Sequence, residues 1–257
     1  MRFSDFSLFQ IIIFTAIVLV GAIEVGRWFG VRAKPDGIGS VPTLEGSILA
    51  LLALMIGFTF ALALSRFEAR RDGVLNEANA IGTTALRARL LPAPHNQESL
   101  KLLREYVQVR LEVTQKIPSP LELKEALARS NAIQEALWLQ AKDVAAKNNG
   151  MVPTGLFIQS LNEMIDDHEK RVIALTSGVP NIVLVVLYLS AIVAAAFSGY
   201  AAGVEAQRSR GPMYIAMGLF IAVILMIQDL DRPTAGFITA SQQPMQDVAA
   251  SIAGFSD

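Results

Sequence analysis

The sequence predicts an all-α membrane protein: four transmembrane helices, with a helical-bundle domain inserted between the second and the third. Three observations carry that prediction. Four stretches are long and apolar enough to cross a bilayer, which takes about 20 residues of helix. The polar content is concentrated between the second and third of them, in a block that holds nearly two thirds of all Asp, Glu, Lys and Arg. Within that block apolar residues recur every three or four positions, the period of an amphipathic helix, and the alternation that marks a strand is missing. Hydrophobic residues make up 53% of the chain and charged residues only 18%, too little charge for a water-soluble protein of 257 residues.

The first span runs from about Leu8 to Phe29. It is predicted to stay as an anchor, because its apolar run is too long for a signal peptide, Asp5 precedes it, and no small-x-small cleavage site follows. The second covers about Ser47 to Leu64 and has no marked end. From Phe67 the apolar or small positions continue at Val74, Leu75, Ala78, Ile81, Ala85, Leu86 and Leu90, and nothing breaks a helix before Pro92 and Pro94. One long continuous second helix is therefore predicted. At 1.5 Å per residue, about 45 residues span roughly 65–70 Å, twice a bilayer core.

Three more helices follow in the inserted domain. Asn96 is placed to cap one with Leu100, Leu103, Val107 and Leu111 inside, ended by Pro118. Ser119-Pro120-x-Glu122 reads as a capping box for the next, which runs to about Lys147 before Asn148-Asn149-Gly150. Thr154 is placed to cap a third, with Phe157, Leu161, Met164, Ile165, His168 and Val172 inside, feeding the third span (about Ile182 to Ala202) across a kink at Gly178 and Pro180. The fourth span covers about Met213 to Ile227, and Asp229-Leu230-Asp231-Arg232-Pro233 ends it before a short helix from Pro244. The divisions are thus 1–65 and 177–232 for two transmembrane hairpins, 66–176 for the inserted domain and 233–257 for a C-terminal tail.

Several function classes are disfavoured. A net charge of −1 gives no basic footprint for nucleic acid. Cys is absent and His occurs only twice, so neither thiolate nor His-based metal chemistry is indicated. No phosphate loop, HExxH or nucleophile elbow is present, so no enzyme activity and no cofactor is expected. By parity the N-terminus, the inserted domain and the C-terminus share one side. Near the spans that side carries Arg2, Arg66, Arg70, Arg71, Lys170, Arg171 and Arg232, against Arg27, Arg32, Lys34, Arg208 and Arg210 on the other, which places the domain and both termini in the cytoplasm.

Small residues recur along the second span at Gly46, Ala50, Ala53, Gly57, Ala61 and Ser65. Such a stripe serves close helix packing within one subunit. It also suits a face around a symmetric pore, and then Ala50, Leu54, Gly57, Ala61 and Ser65 line the path while Phe58 or Phe60 forms an apolar constriction that gates by dewetting. The third span has the same habit at Ala195, Gly199 and Gly203, where packing alone explains it. Arg66, Glu68 and Arg70 at the mouth of the second span share a membrane face with Asp229, Asp231 and Arg232. They form either a salt-bridge girdle that sets helix depth or a charged ring at a pore entrance. Glu24 is expected to pair with Arg27 one turn on. The run Glu163, Asp166, Asp167, His168, Glu169 reads as a solvated face before it reads as a metal site, and Asn76, Glu77 and Asn79 as hydrogen-bonding groups of the bundle or a ligand patch.

The blocks FTFALALSRFEARRDGVLNEANAIGTTALRARLLP (58–92) and QDLDRPTAGFITASQQP (228–244) resemble the bestrophin-like family of bacterial membrane proteins. The resemblance covers about Gly46 to Gln246. It implies a distant relation to bestrophins, pentameric anion channels with four spans per subunit, a large helical cytosolic part and a pore lined by the second helix, whose neck is hydrophobic. On that pattern Phe58 and Phe60 fall near the neck. The dense run of acids of the bestrophin calcium clasp has no counterpart here, which speaks against calcium gating. The resemblance further implies a multi-pass protein of the bacterial inner membrane, with the lipid bilayer, its own copies (five, if it follows the bestrophins) and inorganic ions as partners. The function expected is an oligomeric ion channel. The alternative is a non-conducting membrane sensor or scaffold that signals through the helical domain, and a transporter is disfavoured because no span is broken around a polar midplane site.

Overall fold

The computed structural model describes residues 7–33, 40–115, 120–147, 150, 152–205, 210–233 and 236–255. They form eight α-helices in chain order: α1 Leu8–Arg32, α2 Val41–Ala88, α3 His95–Gln115, α4 Pro120–Lys147, α5 Val152–Thr176, α6 Asn181–Val204, α7 Gly211–Leu230 and α8 Gln243–Ala253. No strand occurs among the described residues. Four helical stretches contain a segment long and apolar enough to cross a membrane: Leu8–Arg32, Val41–Ala88, Val152–Val204, where the apolar part is α6, and Gly211–Leu230. α2 is one helix of 48 residues with no break at Arg66.

The chain forms two compact units. The first takes residues 1–66, 178–232 and 236–238, and so holds α1, the opening half of α2, α6 and α7. Its tightest pair is α1 with α6, and the reason is reciprocal glycines. A methyl group added at Gly26 or Gly30 would overlap the carbonyl oxygens of Ala196 or Tyr200, and one added at Gly199 would overlap that of Ile23. Among lipid tails, helices gain nothing from hiding apolar surface, so close backbone contact of this kind is what favours association. Ala195, Gly199 and Gly203 are buried in that contact. α7 packs on α1 as well.

The second unit takes residues 67–177, 233–235 and 239–257. Ile81, Ala85 and Ala88 of α2 pack with Leu100 and Leu103 of α3, Leu137 and Val144 of α4, and Phe157, Leu161 and Met164 of α5. α8 completes this core with Met245, Val248 and Ile252. Its C-terminal carbonyls are satisfied by Arg104 on α3, which donates to Ile252 O and Phe255 O, while Arg89 lies 4.6 Å over the Phe255 ring.

Two helix starts differ from expectation. α3 begins at His95, so Asn96 lies inside the first turn and is not its cap. The Pro92-Ala93-Pro94 turn itself starts the helix, with His95 N donating to Pro92 O and Glu98 N to Pro94 O. α5 begins at Val152, which puts Pro153 in the first turn, where its missing N–H costs nothing, and leaves Thr154 buried within the helix. Pro118, Ser119, Asn148 and Asn149 lie outside the described residues, as do Arg2, Asp5, Lys34 and Arg208. The expected kink holds as a break: α5 stops at Thr176 and α6 starts at Asn181, on the far side of Gly178 and Pro180.

Candidate functional site

The face of α2 singled out by its small residues is turned away from the rest of the chain. Leu52, Ile56, Thr59 and Ala63 are buried on one side of the helix. Gly46, Ala50, Ala53, Leu54, Gly57, Ala61 and Ser65 are all exposed on the other. A methyl group at Gly46 or Gly57 would meet no atom within 4 Å. Packing within one subunit therefore does not explain the stripe, in contrast to the glycines of α1 and α6. Phe58 is 66% exposed beside the stripe, and Phe60 is half-buried.

The charged residues near the helix ends divide between the two units. Asp229 is buried at the end of α7, and its two oxygens accept from the backbone N–H groups of Phe237 (2.8 Å) and Ile238 (2.9 Å). Gly236 is needed there, since a Cβ would stand 2.6 Å from Asp229 Oδ1. Asp231 accepts from Val179 N at 2.6 Å and so pins the segment that enters α6. Both carboxylates are thus engaged with backbone amides. Arg232 is buried beside them; burial pushes its guanidinium below the usual arginine range, and Asp229 and Asp231 pull it back. Arg66 is half-buried in the same unit, whereas Glu68 (exposed) and Arg70 (buried) belong to the second unit. Glu24 does not pair with Arg27. It accepts from the Tyr214 hydroxyl on α7, a cross-helix partner that helical spacing alone does not reveal.

The most elaborate polar site is one that spacing only touched. Glu77, on the inner face of α2, is fully buried. Arg110 Nε of α3 stands 2.9 Å from its Oε1, and Arg171 Nη1 of α5 stands 2.6 Å from its Oε2. The Tyr106 hydroxyl donates to Oε1 at 2.7 Å. With that proton committed, His168 Nδ1, 2.9 Å from the Tyr106 oxygen and 3.3 Å from Glu77 Oε1, is placed to donate to both. Gln134 Nε2 of α4 reaches the same hydroxyl at 3.3 Å, and Arg171 Nη2 donates to Gln242 just before α8. Burial, then the negative Glu77, pushes the Tyr106 phenol well above its ordinary range. Four helices thus converge on one carboxylate. Of Asn76, Glu77 and Asn79, only Glu77 points inward. His168 faces this cluster, not the acids around it in sequence, of which Asp167 pairs with Lys170 and Glu163 accepts from Gln159. No cluster of His and acids suited to a metal occurs among the described residues.

A family model described as the bestrophin-like domain matches residues 12–245. The chain belongs to the bestrophin-like family. Two solved structures, both single-substitution variants of a bacterial bestrophin homologue from Klebsiella pneumoniae, share this fold. One has a TM-score of 0.67 at 16% identity, over 95% of this chain and 96% of that one. The other has 0.63 at 17% identity, over 94% of each. No curated protein matches the sequence. At such identity the likeness carries the fold alone: a bestrophin-like membrane protein of helices.

Proposed function

We infer that this bestrophin-like chain assembles around a central axis into an ion channel of the bacterial inner membrane, with the bundle and both termini on the cytoplasmic side. α2 lines the path with Ala50, Leu54, Gly57, Ala61 and Ser65, and Phe58, flanked by Phe60, forms the constriction. One observation carries the reading. The small-residue face of α2 is exposed along its whole membrane half, while the glycines of α1 and α6 are consumed by packing. A surface that a subunit builds and leaves uncovered suits a shared interface or conduit. Membership of the bestrophin-like family supports the choice of a conduit.

In this arrangement Phe58 narrows the path without offering an ion any ligand, so conduction depends on wetting of the neck. Arg66, Glu68, Arg70 and Arg232 set the potential at the cytoplasmic mouth, and Asp229 and Asp231 shape that mouth through the backbone they hold. Because α2 continues unbroken into the bundle, a shift of Glu77 and its partners is delivered along the same helix. The test is ion flux from liposomes reconstituted with the purified protein, with subunit number read from its mass in detergent. A monomer, or no flux from either the parent or a Phe58→Ala variant with a widened neck, defeats the reading.

A further inference from the structure

We propose that the groove between α4 and α5 is a binding site for a small organic cation. The groove has a volume of about 340 Å³ and is lined by Asn131, Gln134, Glu135 and Trp138 of α4 and by Asn162 and Ile165 of α5. That volume is at the lower end of the range for small-molecule sites. The spacing i, i+3, i+4, i+7 sets the four α4 residues on one face of their helix. Its chemistry is one-sided: an indole, a carboxylate and three amides line it, and no Lys or Arg does.

These groups select among ligands. A bare metal ion asks for a shell of oxygens, of which the groove offers one carboxylate and scattered amides. An anion meets no positive charge. An alkylammonium group matches what is present, since its charge is attracted to an aromatic face and to a carboxylate while its methyl groups rest on apolar surface. Trp138 is 37% exposed, so its ring is open to such a ligand.

Gln134 gives the site a consequence. Its side chain is only 7% exposed, and its Nε2 donates to the Tyr106 hydroxyl, which in turn donates to Glu77 on α2. A planar amide whose nitrogen donates to Tyr106 leaves Oε1 uncommitted to that bond, and the oxygen's partial negative charge favours a cation beside it. An occupant touching Gln134 is therefore two hydrogen bonds from the buried carboxylate of α2. The link to conduction rests on the channel reading, whereas binding itself does not.

The test uses the full-length protein in detergent with Trp28→Phe, which leaves Trp138 as the sole tryptophan. Tetramethylammonium chloride is titrated while Trp138 emission is recorded, with sodium chloride at matched ionic strength and glycerol as controls. A saturable change with tetramethylammonium alone is expected. Glu135→Gln should weaken it roughly tenfold, equivalent to about 1.4 kcal/mol, and Asn162→Met, which fills the groove without adding a fluorophore (in a variant whose melting temperature matches the parent), should abolish it. A response no greater than that to sodium, equal saturation by glycerol, or an affinity unchanged by Glu135→Gln overturns the site. Saturable binding in a protein that passes no ions leaves the site standing and removes the channel.

Discussion

Replacing Glu77 with Gln takes the only carboxylate out of a site that also holds Arg110 and Arg171, which are 2% and 1% exposed. The side chain keeps its shape, so the change is one of charge. Two guanidinium groups, at 2.9 and 2.6 Å from the carboxylate in the parent, are left buried without a counter-ion. Breaking a buried pair by removing one partner costs about 3–5 kcal/mol, mostly the unpaired charge left behind. For a protein of this length each kcal/mol moves the melting temperature by about 2–4 °C, so the expected loss is roughly 6–20 °C. The assay is a melting curve of the purified protein followed by the fraction that stays monodisperse. A second measurement tests the cause. In the Glu77→Gln background, Arg171→Met relieves one stranded charge and should cost much less than the same change in the parent, the mark of coupled residues. Strictly additive costs, or a Glu77→Gln shift under about 2 °C, would refute the claim that this carboxylate neutralises the bundle core.

Other consequences are as direct. Gly199→Leu, which drives a side chain into the Ile23 carbonyl, should abolish monodisperse protein, whereas Gly21→Leu, with nothing within 4 Å of its Cβ, should not; equal yields would sink the close-packing account of α1 and α6. Asp229→Asn removes charge-assisted bonds to Phe237 and Ile238, each worth about 1.5–3 kcal/mol, so hydrogen exchange at those two amides should accelerate at least tenfold; unchanged exchange means another group holds the segment. In the flux assay, Phe58→Ala should raise ion passage and Gly57→Leu should reduce it, and a Gly57→Leu protein that conducts like the parent places the conduit elsewhere.

Much of this was legible in the residues because one period governs most of the chain. The spans and the unbroken second helix follow from apolar length and from the lack of any breaker before Pro92. The glycine contact of α6 was readable for the same reason, since small residues at every fourth position have few uses among lipid tails. What a lone sequence does not convey is which partner a polar group meets across space. Glu24 looked to Arg27 because the two are neighbours on one helix, yet its partner Tyr214 is nearly two hundred residues on. The Glu77 cluster did leave a trace. Glu77 lies between Val74 and Ile81, Arg110 beside Val107, and Arg171 seven residues from Met164, so all three interrupt apolar rows where a charge has no reason to be unless it is paired. Asn96 and Thr154 read as caps from the sequence alone, but α3 starts at His95 on the Pro92-Ala93-Pro94 turn and α5 starts at Val152, so both fall inside a first turn.

Helix α8 fills the floor of a core whose other walls are complete by Thr176. Met245, Val248 and Ile252 reach that core only after two hydrophobic helices, α6 and α7, have been synthesised in between. A ribosome making this protein therefore delivers those two segments to the translocon while the bundle behind them still lacks its final wedge. The expected order is insertion first, then closure of the bundle's apolar core. Nascent chains stalled before Gln243 should stay open to proteases that chains extended well past Phe255 resist.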